Sequence, residues 1–336
     1  MFTKKDIVAR YCREMKDVST RCLARHIMKM EPNLFASYEV ARTCIRTCRG
    51  KSGIINRNFS RVPDVAQRPI VPFRIPDGMK YLGDWTPFII KEKNVLVISD
   101  VHIPYHDKKA LEIAIADGKK NKVGAVLLNG DFIDCYQLSR FEKDPRKRDF
   151  SSELEISKGI LKEIKKYLKC PIYFKLGNHD ERFEKYVATH APELLGVAAF
   201  SIDVMINNDF INGKAVDNGL NIEIIKKKNI IKIDKLNILH GHEFGKSVFS
   251  PVNPARGLFM RGKECALQGH NHQTSQHTET TMNGVIVATW STGCLCDLHP
   301  EYLPLNNWNH GFAIVRQNKD GFLVENKKII NGKIYS

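Results

Sequence analysis

The chain has 336 residues, 43% of them apolar, enough for one large domain and a small one with a sizeable core. No run approaches the roughly 18 uninterrupted apolar residues of a membrane helix, and the N-terminal stretch MFTKKDIVARYCREM carries charges where a signal peptide needs its apolar run, so a cytoplasmic protein with no membrane partner is expected. Nine cysteines without a secretion signal read as reduced thiols, and a net charge of +15 favours polyanionic partners.

The charge is concentrated at the start: residues 1–62 hold 14 Lys and Arg against 5 Asp and Glu, a net of +9. This segment reads as three short helices. Ile7, Val8, Tyr11, Cys12 and Met15 set the first, over Lys4 to Met15, and Leu23, Ile27 and Met30 set the second, over Thr20 to Met30. The third opens at Ser37 as N-cap, carries Val40, Ala41, Cys44, Ile45 and Cys48 on one face, and stops at Gly50. Residues 54–92 hold five prolines without periodicity and read as a linker or strap. From about 93 strands and helices alternate: strands 95–99, 125–129 and 172–176 precede helices near 108–120, 152–168 and 181–189, which predicts βαβ units and a parallel sheet. After 220 the pattern is strands only, from Ile222–Ile225 to Phe322–Glu325. The expected organisation is thus a basic three-helix module at 1–53, a proline-containing strap at 54–92 and an α/β domain at 93–336.

Five strands end in polar clusters. Strand 95–99 delivers Asp100 and His102, strand 125–129 delivers Gly130-Asp131 and Asp134, and strand 172–176 delivers Gly177-Asn178-His179-Asp180. Strand 236–239 then delivers His240, and strand 265–268 delivers Gly269-His270-Asn271-His272. Carboxylate, imidazole and amide donors without thiolates favour a divalent ion such as Mn, Fe, Zn or Ni, and so large a set exceeds what one ion needs. Glycines before Asp131, Asn178 and His270 allow sharp turns and keep Cβ atoms out of the site.

In these five blocks, Asp-x-His, Gly-Asp-x-x-Asp, Gly-Asn-His-Asp, His and Gly-His-x-His in that order over residues 95–272, the sequence resembles the calcineurin-like metallophosphoesterase superfamily. The resemblance implies a four-layer α/β/β/α sandwich with a dinuclear metal site at one edge, manganese being expected ahead of iron, zinc or nickel. Carried over, Asp100, His102 and His272 would hold the first ion, Asp131 would bridge, and Asn178, His240 and His270 would hold the second. His179 would act on the leaving oxygen, with Asp134 orienting it. The implied reaction is hydrolysis of a phosphate mono- or diester by a metal-bound hydroxide, with nucleic acid or nucleotides among the candidate substrates.

Two local readings stay open. Arg182 would reach a substrate phosphate or pair with Glu181 or Glu184, and Asp180 would cap the following helix. Cys135-Tyr136 replaces the Arg-Gly of protein serine/threonine phosphatases, which disfavours a phosphoprotein substrate. The N-terminal module loosely resembles helix-turn-helix domains. Arg42, Arg46 and Arg49 on its third helix and Arg21, Arg25 and Lys29 on its second form stripes that would meet a nucleic-acid backbone or be the solvated face of a structural cap. Lys226 to Lys228 would extend a basic surface. The competing functional reading is a nucleic-acid-binding or scaffold protein whose phosphoesterase fold is secondary to tethering.

Overall fold

In the computed structural model, which describes residues 3–50, 86–140, 149–225, 229–245, 252–301 and 303–336, the basic segment forms α1 (Lys4–Glu14), α2 (Thr20–Met30) and α3 (Tyr38–Cys48). Each starts at a side-chain cap: Thr3 with Asp6 in a reciprocal box, Ser19, and Ser37. Val8, Tyr11, Leu23, Ala24, Ile27, Phe35, Ala41 and Ile45 form one small core. Val40 and Met30, expected on the apolar faces, project into solvent, because Ala41 and Ile45 already close the contact on α3 and Leu23 and Ile27 close it on α2. By its contacts the chain divides into Met1–Tyr81 and Leu82–Ser336. The strap is outside the described residues up to 85, as are Lys226 to Lys228.

The second unit is a sandwich of two sheets. Its seven-stranded sheet centres on β2 (Asn94–Ile98), β3 (Ala125–Asn129) and β4 (Ile172–Lys175), all parallel, joined by α4 (Lys108–Lys120) and α5 (Phe150–Leu168). Beyond β4 lies β7 (Glu223–Ile225), and beyond β2 lie β13 (His310–Asn318), β14 (Gly321–Ile330) and β15 (Lys333–Tyr335). The second sheet runs β1 (Phe88–Ile89), β8 (Ile231–Ile233), β9 (Leu236–Ile238), β10 (Ala266–Gln268), β12 (Ile286–Ser291) and β11 (Ser275–Thr280). Strand alternation builds two cores from the same strands. Leu96, Ile98, Val126 and Leu128 face the helical layer, whereas Val95, Val97, Ala125 and Leu127 meet Ile231, Ile233, Leu236, Ile238 and Leu267 of the opposing sheet. Each fully buried Val, Leu or Ile among them stabilises the fold by about 1.5–3 kcal/mol, so β2 and β3 are held from both sides.

Three features depart from the sequence reading. Phe88–Ile89, within the expected strap, is a strand paired parallel with β8. A helix, Pro254–Gly262, interrupts the region read as strands only; Asn253 caps it, and it packs on β10, β11 and β12 as the outer layer of the second sheet. Between α6 (Arg182–His190) and β7 lie a short helix, Ile202–Asn207, and the hairpin Asn208–Ile211 with Lys214–Asp217, turned at Asn212-Gly213, both at positive φ.

Candidate metal centre

The parallel order decides where the polar residues go. β2, β3 and β4 are consecutive neighbours in one sheet and β9 and β10 in the other, so all five strand ends open on one edge of the sandwich. The sheets are tied there: Asn129 Nδ2 donates to Leu239 O at 2.9 Å, and the Asp100 carboxylate accepts from His270 N at 2.9 Å. Asp100, His102, Asp131, His270 and His272 all have left-handed backbone, φ 50–66°, which side chains other than glycine adopt sparingly. Gly130 lies at φ +87°, and a Cβ there would strike the His240 ring. A Cβ on Gly177 would strike Asp131.

The histidines are held by one ring nitrogen and present the other. Asp134 Oδ1 accepts from His102 Nδ1 at 2.9 Å and from His179 Nδ1 at 2.8 Å. His240 Nδ1 donates to Asn129 O at 2.7 Å. These bonds orient the rings and turn Nε2 of His102 and His240 inward. His102 Nε2 then lies 3.2 Å from His272 Nε2, which is 3.2 Å from Asp100 Oδ1. Asp131 Oδ2 lies 3.2 Å from His240 Nε2 and 3.9 Å from His102 Nε2, while Oδ1 accepts the His179 backbone N–H at 2.8 Å. His240 Nε2 and Asn178 Oδ1 are buried without a hydrogen-bond partner. Donor atoms within 4.8 Å of one another form the groups His102–Asp131–His179, Asp131–His240–His270 and His102–His272–Cys296. Converging lone pairs on buried carboxylates and imidazoles are what a divalent cation satisfies, so the residues fit such a group.

Electrostatics points the same way. Burial alone would raise the Asp131 carboxyl, but His240 and His179 hold it well below the usual range; against the same effect of burial, His272 and His240 lower Asp100. Burial would lower His240, yet Asp131 and Asp100 raise it to about 10; His272 is raised by Asp100. His270, buried beside the His240 charge, is pushed down to about 4. The carboxylates therefore stay ionised and draw positive charge to themselves, as a cation site requires.

Residues 93–274 match the calcineurin-like phosphoesterase family. The chain belongs to that family. The gene 54 protein of Mycobacterium phage L5 is 25% identical over 254 residues, 72% of this chain and 95% of that protein. Among solved structures, vacuolar protein sorting 29 from Cryptosporidium parvum aligns at TM-score 0.40 and 14% identity over 73% of this chain and 96% of its own. A dimetal phosphatase from Danio rerio aligns at 0.36 and 11% over 70% and 95%.

Around the centre the structure differs from the sequence reading in two places. Arg182 pairs with neither Glu181 nor Glu184: Nη1 donates to Asp134 O at 2.9 Å and Nη2 to His179 Nε2 at 3.0 Å, because the first turn of α6 points it back into the site. Asp180 caps no helix; its carboxylate accepts from Ile133 N and Gly177 N, both at 2.9 Å, and so locks the β3 and β4 loops together. Cys296, with Sγ 4.0 Å from His272 Nδ1, Trp308, stacked edge-on against His272 at 4.1 Å, and Asn129 carried no sequence signal for the site. Nor did the buried pair of Lys175 and Glu243 at 2.9 Å; Glu243 accepts the backbone N–H groups of His240 and Gly241.

The N-terminal arginines stand apart from one another in role. Arg42 pairs with Glu39 at 2.8 Å, and Arg49 donates to Val18 O at 2.6 Å and Met15 O at 2.8 Å, which ties α3 to the α1–α2 turn. Arg21, Arg25 and Arg46 are exposed.

Proposed function

We propose that the chain is a dinuclear-metal phosphoesterase, with Asp100, His102 and His272 holding one ion, Asn178, His240 and His270 the other, and Asp131 shared between them. The observation that carries this reading is the place of Asp131, whose carboxylate lies between the inward nitrogens of His102 and His240 and belongs to two of the donor groups. Two divalent ions, when bound, supply Lewis acidity toward a phosphoryl oxygen and acidify water near neutral pH. The chain's own groups handle the leaving oxygen. Asp131 and Asp134 raise His179 above its ordinary value against the effect of burial, which favours a proton at Nε2 for donation to that oxygen. Protonation there ends the acceptor contact with Arg182 Nη2 and frees the guanidinium for a phosphoryl oxygen. The carboxylates and imidazoles around Asp131 suit a divalent ion such as manganese, iron, zinc or nickel.

Reloading metal-stripped protein with Mn tests the reading: turnover of bis-p-nitrophenyl phosphate returns with the second equivalent bound per chain. Saturation at one equivalent, or two bound without turnover, counts against it. A second reading, recruitment of nucleic acid by the N-terminal module, is favoured by the exposed Arg21, Arg25 and Arg46 on two helices. If three to five basic side chains meet phosphates, log affinity for duplex DNA falls with log salt at a slope of about −3 to −5; salt-insensitive binding, or none, leaves the module a structural cap.

A further inference from the structure

Beside the metal centre the described residues enclose a cavity of about 560 Å³, between the turn at Leu138–Arg140 and one face of α6. Asn178 belongs to its wall, so the cavity opens directly onto a proposed ligand of the second ion. Arg182, Lys185, Tyr186, Thr189 and His190 recur at helical spacing and turn one stripe of α6 toward it.

Three properties of this space narrow what it takes. Among the described residues its charged lining is basic, Arg140, Arg182 and Lys185, the last paired with Glu181 at 2.6 Å. The Tyr186 ring, 38% exposed, lies nearly parallel to that of His190, with centroids 4.2 Å apart and planes 22° apart. His190 Nδ1 is anchored 3.1 Å from Tyr186 O, so the pair is a fixed flat surface. Ser139 Oγ is buried in the wall without a hydrogen-bond partner, and Ser139 is only 6% exposed. An unsatisfied buried hydroxyl calls for a polar group from a ligand. A phosphopeptide or a sugar phosphate answers the charge but leaves the flat aromatic surface unused. A nucleotide answers all three, and the volume is that of a small-molecule site.

We infer that this cavity receives the nucleotide unit flanking the scissile phosphoester, its base stacking on Tyr186 and its non-scissile phosphate meeting Arg140. The substrate class is then a nucleotide diester or a single nucleic-acid strand. The inference rests on the phosphoesterase reading for its chemistry.

Three diesters with one leaving group test it on the full, Mn-loaded chain: methyl p-nitrophenyl phosphate, thymidine 3′-(p-nitrophenyl phosphate), and the 5′-phosphorylated form of the latter. KM falls about tenfold on adding the nucleoside and about tenfold again on adding the phosphate. Tyr186→Ala cancels the first gain and Arg140→Gln the second, each read as a ratio to the methyl diester in the same variant. Equal KM values within about threefold across the three substrates overturn the inference and leave the phosphoesterase reading standing. If no diester turns over, p-nitrophenyl phosphate tests the phosphoesterase reading separately, and calorimetry with thymidine 3′,5′-bisphosphate decides the inference alone. Saturable binding weakened about tenfold or more by Tyr186→Ala supports it; absence of saturable binding overturns it.

Discussion

The N-terminal helices and the edge of the sandwich use polar residues in opposite ways. In the helical unit, Thr3, Ser19 and Ser37 satisfy helix ends, ion pairs such as Arg42–Glu39 sit at the surface, and the core is apolar. At the edge of the sandwich, Asp100, Asp131 and His240 are buried to 1% exposure or less, the two aspartates on left-handed backbone, and His240 Nε2 and Asn178 Oδ1 have no hydrogen-bond partner. Burying charge is costly unless something pairs it. The contrast teaches that the sandwich edge concentrates buried charge that a bound cation would pair, whereas the helical unit keeps its ion pairs at the surface over an apolar core.

The sharpest way to break that contrast is Asp131→Asn, which removes the shared charge: turnover of bis-p-nitrophenyl phosphate falls to assay background and bound metal drops below two equivalents. A variant that keeps both contradicts the bridging role. His179→Gln comes next. It slows turnover by roughly 10²- to 10⁴-fold at unchanged metal content, checked by kinetics beside elemental analysis.

Lys175→Met probes support behind the site. Lys175 is fully buried against Glu243, and removing one partner of such a pair costs about 3–5 kcal/mol in denaturant melts. Burial would raise Glu243, but Lys175 and His242 lower it to about 2. Its folded pKa lies below its ordinary 4.5, so its contribution is complete above that value and is lost as pH falls toward 2. The stability gap between wild type and Lys175→Met therefore narrows over that window; a gap independent of pH assigns the loss to packing. Ser37→Ala, in the helical unit, has the smallest effect, about 1 kcal/mol, with metal binding and turnover unchanged. Loss of metal binding in that variant would erase the distinction between the two regions.

The three N-terminal helices and the order of strands 95–99, 125–129 and 172–176 were legible because caps and apolar periodicity are local signals. Others were present but short. Asn212-Gly213 and Asn331-Gly332, each at positive φ, turn hairpins that a two-residue Asn-Gly signal announces, and Asn253-Pro254 opens a helix only nine residues long. Phe88–Ile89 had no readable signal, since a two-residue strand exists only through its partner Ile231–Lys232.

For the site, the sequence by itself determined which residues end the strands: five ends rich in Asp, Asn and His, each a candidate for the proposed chemistry. Tertiary structure alone decided how they work together. That Arg182 reaches back to Asp134 rather than to a neighbouring glutamate, that Asp180 clamps two loops, and that Asn129 holds His240 from far along the chain depends on which strands become neighbours. The physical reason is range. Caps and periodicity act over one or two turns, whereas a buried polar network is completed by hydrogen bonds spanning up to 170 residues, as between Asp100 and His270.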